Sequence, residues 1–199
     1  MLAYVFWHWP RPGVAYDDYT ARQLAFHQAL ATRGPAALEA SYIWRVIGAP
    51  WTPASVAYED WYLLGNSAGL DALNAAAVSD SLREVHDAAA ALAAGGMAAL
   101  YSPSGPRVGE EPALDGSVAQ WFAKPDALRY SALYQRLRPQ LGRLWTRMMV
   151  LGPTPEFLLL GDDVSGLPSE WRAQVTHRER LWPLDDTLDS TAIHSIQEN

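Results

Sequence analysis

The feature that most constrains this chain is an internal repeat. Asp60-Trp61-Tyr62-Leu63-Leu64-Gly65 is echoed by Glu156-Phe157-Leu158-Leu159-Leu160-Gly161. Each run opens on an acid, continues through aromatic and aliphatic residues and stops at glycine, the pattern of a buried strand closed by a turn. A related segment precedes each one, Val46-Ile47-Gly48-Ala49-Pro50 in the first half and Val150-Leu151-Gly152-Pro153 in the second. Strand, turn and strand thus occur twice, and a repeated supersecondary unit decides the fold before any single element does. In this alignment Asp60 is equivalent to Glu156, and Arg147 falls on the position of Ile43.

The elements around the repeat follow one order. Leu2 to Trp9 reads as a strand and Pro10-Arg11-Pro12-Gly13 as a turn. Asp17 and Asp18 are placed to cap a helix that runs to Arg33 and ends at Gly34-Pro35. Ser41 to Ile47 and Tyr58 to Leu64 are strands. Ser81-Leu82-Arg83-Glu84 has the form of a capping box for a second helix reaching Gly95-Gly96, and Met97 to Ser102 is a fourth strand. That order, βαββαβ, is the ferredoxin-like unit.

The order then begins again. Ser104 to Gly116, rich in Pro, Gly and acid, reads as a linker. A strand from Val118 to Lys124, a helix from Asp126 to Arg138, and paired strands at Leu144 to Leu151 and Glu156 to Leu160 follow. Ser169 to Gln174 has room only for a stunted helix, and Val175 to Leu181 is a last strand. The expected organisation is a first unit at 1–103, a linker at 104–116, a shortened second unit at 117–184 and a loose tail at 185–199. A ferredoxin-like unit carries helices on one sheet face only, so the other face needs cover. The expected fold is therefore α+β, two tandem βαββαβ units forming one intrachain α/β barrel with helices outside.

Composition narrows the partners. A net charge of −7 with scattered Lys and Arg disfavours nucleic acid, whose phosphates need a basic surface. There is no cysteine, so thiolate chemistry and disulfides are out. The N-terminus lacks the basic and apolar regions of a signal peptide, and Ala88 to Leu100 is too short to span a bilayer. No membrane partner and a cytoplasmic location follow by default. Nine Trp and nine Tyr are a heavy aromatic load, which a central aromatic-lined cavity would absorb.

The candidate site residues are chosen by chemistry. Histidine is the side chain suited to proton transfer near neutral pH, so His8, at the end of the first strand, and His27, on the first helix, are the candidate catalytic acid–base groups. Arg45 and Arg147 lie mid-strand, where a buried guanidinium needs a carboxylate or an anionic ligand. Asp60 and Glu156 are their candidate partners, and the repeat alignment puts both arginines on one face. Trp44, Trp51, Tyr58 and Tyr62 are candidates for holding a flat hydrophobic ligand. Each has a purely structural alternative in core packing or ion pairing. No phosphate loop, nucleophile elbow or metal-binding spacing is present. No cofactor is expected, although haem stays open because His27, His86 or His177 could supply an axial ligand.

The N-terminal segment resembles a known family. Arg11-Pro12-Gly13, then Tyr19, then His27 eight residues further on, is similar to the EthD-like branch of the dimeric α/β-barrel superfamily. The likeness covers about the first 35 residues, and the second half lacks it. It implies two ferredoxin-like units around a cavity for small hydrophobic or aromatic molecules. The superfamily includes cofactor-free monooxygenases, lactone isomerases and some haem proteins. Three functions stay open at this point: a cofactor-free enzyme, a non-catalytic small-molecule-binding protein and a haem-binding barrel. Whether the chain is a monomer or a homodimer is open too.

Overall fold

The computed structural model describes residues 1–105, 114–149, 152–163 and 166–183. The first unit contains β1 (Leu2–Pro10), α1 (Tyr16–Arg33), β2 (Leu38–Ile47), β3 (Val56–Leu64), α2 (Ala68–Ala77), α3 (Arg83–Ala90) and β4 (Ala93–Pro103). The second contains β5 (Val118–Phe122), α4 (Tyr130–Arg136), β6 (Leu144–Arg147), β7 (Phe157–Gly161) and β8 (Gln174–Trp182), with 3-10 turns at Arg138–Arg143 and Ser169–Trp171.

The eight strands close into a barrel in the order β1-β3-β2-β8-β5-β7-β6-β4. Each unit contributes the same local order, β4-β1-β3-β2 and β8-β5-β7-β6, and every pairing is antiparallel. The units join edge to edge at β2–β8 and β4–β6, so no strand edge stays bare. This is the tandem ferredoxin-like α/β barrel that the element order implies.

Side-chain alternation sorts the aromatics. Trp7, Trp44, Trp61, Trp121 and Trp145 all point inward and are at most 2% exposed. They meet edge to face, as at Trp51–Trp121 (4.8 Å) and Trp61–Trp145 (5.0 Å), the arrangement ring quadrupoles favour. The barrel interior is thus packed with indoles, and the expected central aromatic-lined cavity is filled. A buried ion pair completes it. Glu59 lies 3.0 Å from Arg178 and accepts from the indole N–H groups of Trp7 and Trp61, both at 2.8 Å. The Arg178 guanidinium stacks 4.0 Å from the Trp44 ring. Burial draws the Arg178 guanidinium below its ordinary value, while Glu59 opposes that shift.

The structure corrects the residue register of the repeat. Glu59, Trp61 and Leu63 face inward on β3, but Leu158 and Leu160 do so on β7, while Phe157 joins the outer cluster with Phe122 and Leu144. The letter alignment that matches Trp61 with Phe157 is therefore one residue out, and a one-residue slip exchanges faces. The Leu-Leu-Gly ends hid the slip, because both faces of β3 and β7 are buried there. Arg45 and Arg147 consequently do not share a face. Arg45 lies outside the barrel with Ser41 and Ile43, whereas Arg147 has the parity of inward-facing Trp145 and pairs across strands with Tyr101.

Local corrections have local causes. The expected helix from Ser81 to Gly95 is shorter, α3 begins at Arg83 without a side-chain cap, and Gly95-Gly96 lies inside β4. A Cβ at Gly96 would come 2.2 Å from the Phe6 ring, so this strand needs a glycine where the ring crosses it. An extra helix, α2, occupies the stretch after Gly65, its first turn tied by Asn66 accepting from the Ala68 amide at 3.0 Å. Asp17 and Asp18 sit in the first turn of α1 rather than at its cap, where they favour the positive end of the helix. The expected tail at 185–199, most of the linker, and Val150 and Leu151 lie outside the described residues. Among the described residues, no helix is long and apolar enough to cross a membrane.

Candidate functional site

The outer face of the first unit differs from that of the second. On the second, Phe122, Phe157 and Leu159 pack against Leu133, Leu137 and Trp171 in an apolar layer. On the first, Tyr4, Phe6 and His8 of β1 stand beside Tyr58, Asp60 and Tyr62 of β3, beneath α1, α2 and α3. A cleft of about 530 Å³ opens between this sheet face and the helices. Its floor includes His8, Tyr19, Gln23, Asp60 and Tyr62, and its walls are mainly apolar.

Asp60 organises the floor. One carboxylate oxygen lies 3.1 Å from Nε2 of His8, and the other lies 3.4 Å from Nε2 of His27 and accepts from the Tyr62 hydroxyl at 2.9 Å. The outer ring nitrogens are also engaged. Nδ1 of His8 meets the Tyr19 hydroxyl at 2.6 Å, and Nδ1 of His27 meets the Ser41 hydroxyl at 3.0 Å. A continuous line therefore runs Tyr19–His8–Asp60–His27–Ser41. The His8 ring is fixed by stacking between Phe6 (5.3 Å) and Tyr58 (5.6 Å), and His27 stacks on Tyr62 (5.3 Å).

Electrostatics follow from this contact set. Burial alone would raise the Asp60 carboxyl, but the imidazoles of His8 and His27 overcome it and hold the group well below the usual carboxylate range. Burial, the Asp60 charge and Tyr58 push the Tyr19 phenol well above its ordinary value, against a hydrogen bond to Gln23. Burial and Asp60 raise Tyr62 as well. At neutral pH the floor therefore holds an ionised carboxylate and protonated phenols. When His8 is neutral, Tyr19 donates to Nδ1, and Nε2 lies 3.1 Å from the Asp60 carboxylate without hydrogen-bond alignment. When His8 is charged, Nδ1–H donates to Tyr19 and the phenol proton is free to turn toward the cleft.

The candidate residues separate accordingly. His8, Asp60 and Tyr62 line the cleft. His27 is fully buried behind its floor, so it positions Asp60 rather than reaching the rim. Tyr58 braces the His8 ring and bonds Thr20 at 2.6 Å. Arg45 is away from the cleft and pairs with Glu179 of β8, not with Asp60. Arg147 donates to the backbone carbonyls of Gly152 and Thr154, and Glu156 accepts from Tyr130 at 2.9 Å. The two expected symmetric Arg–carboxylate pairs are therefore absent, because each of the four side chains is engaged by another partner. Trp44 and Trp51 belong to the barrel interior. Residue type alone does not mark Tyr19 or Gln23 as chemistry; the signals are the place of Tyr19 in the EthD-like spacing and the i, i+4 spacing that puts both on one face of α1. Among the described residues, no three His, Cys, Asp or Glu side chains are grouped to hold a metal ion.

Comparison with known proteins adds little. No family model matches the chain, and no curated protein matches it. A solved structure described provisionally as a chlorite dismutase is similar to it with a TM-score of 0.49 at 12% identity, over 90% of this chain and 95% of that one. At that level of likeness nothing about chemistry passes from one protein to the other.

Proposed function

We propose that the chain is a cofactor-free proton-transfer enzyme, acting on a small hydrophobic or aromatic molecule bound in the outer cleft of its first unit. The observation that carries this reading is the line Tyr19–His8–Asp60, whose three members all border the cleft. A ligand proton is taken up at the Tyr19 oxygen as the phenol's own proton passes to Nδ1 of His8. The imidazolium so formed faces the Asp60 carboxylate, which stabilises it and keeps the ring in place. Return of the proton to a different ligand atom completes an isomerisation. Because the Tyr19 phenol is held well above its ordinary value, the two transfers are coupled rather than passing through a free phenolate.

The residues behind the EthD-like resemblance support the same reading. From α1, His27 contacts Asp60 and Tyr19 reaches it through His8, and Gly13 supplies the positive φ of +86° that turns the chain from β1 into that helix. The test is a ligand and turnover screen followed by Tyr19→Phe and His8→Gln. Loss of turnover by about 100-fold or more in both, with ligand affinity kept, supports the assignment. Unchanged turnover in either variant sinks it, and ligand binding without any turnover leaves a binding protein.

A haem does not suit these residues. Both His27 ring nitrogens are committed, to Ser41 and to Asp60. His177 is exposed on β8, away from the cleft. His86 does border the cleft, with Nδ1 held by Asp87 at 3.0 Å, but no Lys or Arg lines it to receive haem carboxylates. Titration with haemin is expected to give no stoichiometric Soret band.

A further inference from the structure

We propose that the cleft admits organic cations, specifically amines carrying an aromatic body, and rejects carboxylates. The inference rests on the reading of this cleft as a ligand site and names what the site selects.

The cleft lining holds two carboxylates and no Lys or Arg. Asp60 lies on its floor in contact with His8 and His27, Asp71 of α2 stands at its rim, and His86 borders it from α3. The arginines carried by the flanking elements stay out of that lining. Arg22 of α1 and Arg83 of α3 are exposed, Arg33 donates to the Ser81 carbonyl at 2.6 Å, and Arg11 donates to the backbone carbonyl of Ala93 at 3.0 Å. A carboxylate entering the cleft would shed water and find no Lys or Arg to replace it. Asp71 is exposed and has no ion-pair partner among the described residues, so an ammonium group at the rim would meet a free carboxylate.

The walls favour the same ligand. Beside Tyr62 on the floor stand Tyr4, Phe6 and Phe26, with ring centroids 5.9 Å apart for Tyr4–Tyr62 and 6.5 Å for Tyr4–Phe6. Their faces carry the negative lobe of the ring quadrupole, which attracts a cation and stacks an aromatic body. The net charge of −7 on the chain adds a general attraction for cations.

The experiment is calorimetric binding of three probes of matched shape to the intact protein at neutral pH: 2-naphthylmethylamine, 2-naphthylmethanol and 2-naphthoate. The amine is expected to bind at least about tenfold more tightly than the naphthoate, with the gap narrowing as salt is added. Asp71→Asn is expected to weaken the amine about threefold or more while leaving the alcohol unchanged. Naphthoate binding as tightly as the amine overturns the inference and leaves the cleft as a ligand site. So does an alcohol that matches the amine in both the wild-type and Asp71→Asn proteins. Failure of all three probes to bind overturns both this inference and the reading of the cleft on which it rests.

Discussion

Glu59 and Asp60 are neighbours in sequence and stand on opposite faces of β3, each anchoring a separate buried polar cluster. Glu59 points into the barrel, against Arg178 and two indole N–H groups. Asp60 points outward, against His8, His27 and Tyr62. One dipeptide therefore sets both the interior ion pair and the floor of the cleft.

Asp60 makes stability depend on acid. Its folded carboxyl is held below the ordinary value, so the native state favours the ionised form more than the unfolded chain does. That contribution is present above the unfolded value of about 4 and is lost as pH falls through it toward the depressed folded value. Asp60→Asn is expected to cost about 3 kcal/mol at neutral pH, and the gap from wild type should shrink steadily below about pH 4. Urea unfolding of both proteins across the acid range checks this; a gap that does not change with pH contradicts it.

Glu59 and Arg178 are coupled differently. Each is fully enclosed, so removing one leaves the other as a buried charge without its partner. Arg178→Ala is expected to destabilise by about 3–5 kcal/mol, and Glu59→Leu combined with Arg178→Met should recover much of that loss. Outside the barrel, Glu179→Ala removes the exposed partner of Arg45 and should cost under about 1 kcal/mol. A double-mutant cycle by chemical denaturation separates the cases, and equal costs inside and outside would count against the buried-pair account.

Much of the fold was legible because turns and periodicity carry it. Pro10 to Gly13, Gly34-Pro35 and Gly48-Ala49-Pro50 punctuate the first unit, and the duplicated order then implies a closed barrel. What the sequence could not show was which face of each strand points inward. β3 is buried on both faces, so its hydrophobicity has no alternation to read. That one ambiguity hid the filled interior and the convergence on Asp60. Chemistry alone marks His8 and Asp60 as candidates, yet their contact depends on the β1–β3 register, in which Phe6 pairs with Asp60. Tyr19 reaches His8 only because the turn at Gly13 folds α1 back over β1.

The tyrosines predict an alkaline signature. Burial raises the phenols of Tyr4, Tyr19, Tyr58, Tyr62 and Tyr101, five of the nine in the chain. A phenol whose folded value is raised stabilises the fold below its unfolded value of about 10, and that contribution is lost as pH rises past it. Phenolate absorbance from these five should therefore appear only beyond pH 10, coincident with loss of near-ultraviolet circular dichroism. Tyr19→Phe should reduce the amplitude of that late stage. A single transition near pH 10 in the folded protein would falsify the buried-phenol assignment.

Gly152 tests the turn shared by the two units. Gly48 and Gly152 occupy matching places in the repeat, and both have positive φ, +83° and +121°. At Gly152 the approach is also close, since a Cβ there would lie 2.4 Å from the Cβ of Ala99 and 3.0 Å from the Ala98 carbonyl oxygen. Those are atoms of the neighbouring β4, which cannot swing aside as a flexible side chain would. Gly152→Ala is therefore expected to cost about 3 kcal/mol, combining backbone strain with overpacking. Gly142, in a 3-10 turn with nothing within 4 Å of its hypothetical Cβ, is the control, and Gly142→Ala should stay within about 0.5 kcal/mol of wild type. Thermal unfolding of the two variants side by side decides it: equal melting temperatures would mean that the β4 contact and the positive φ at Gly152 do not constrain this turn.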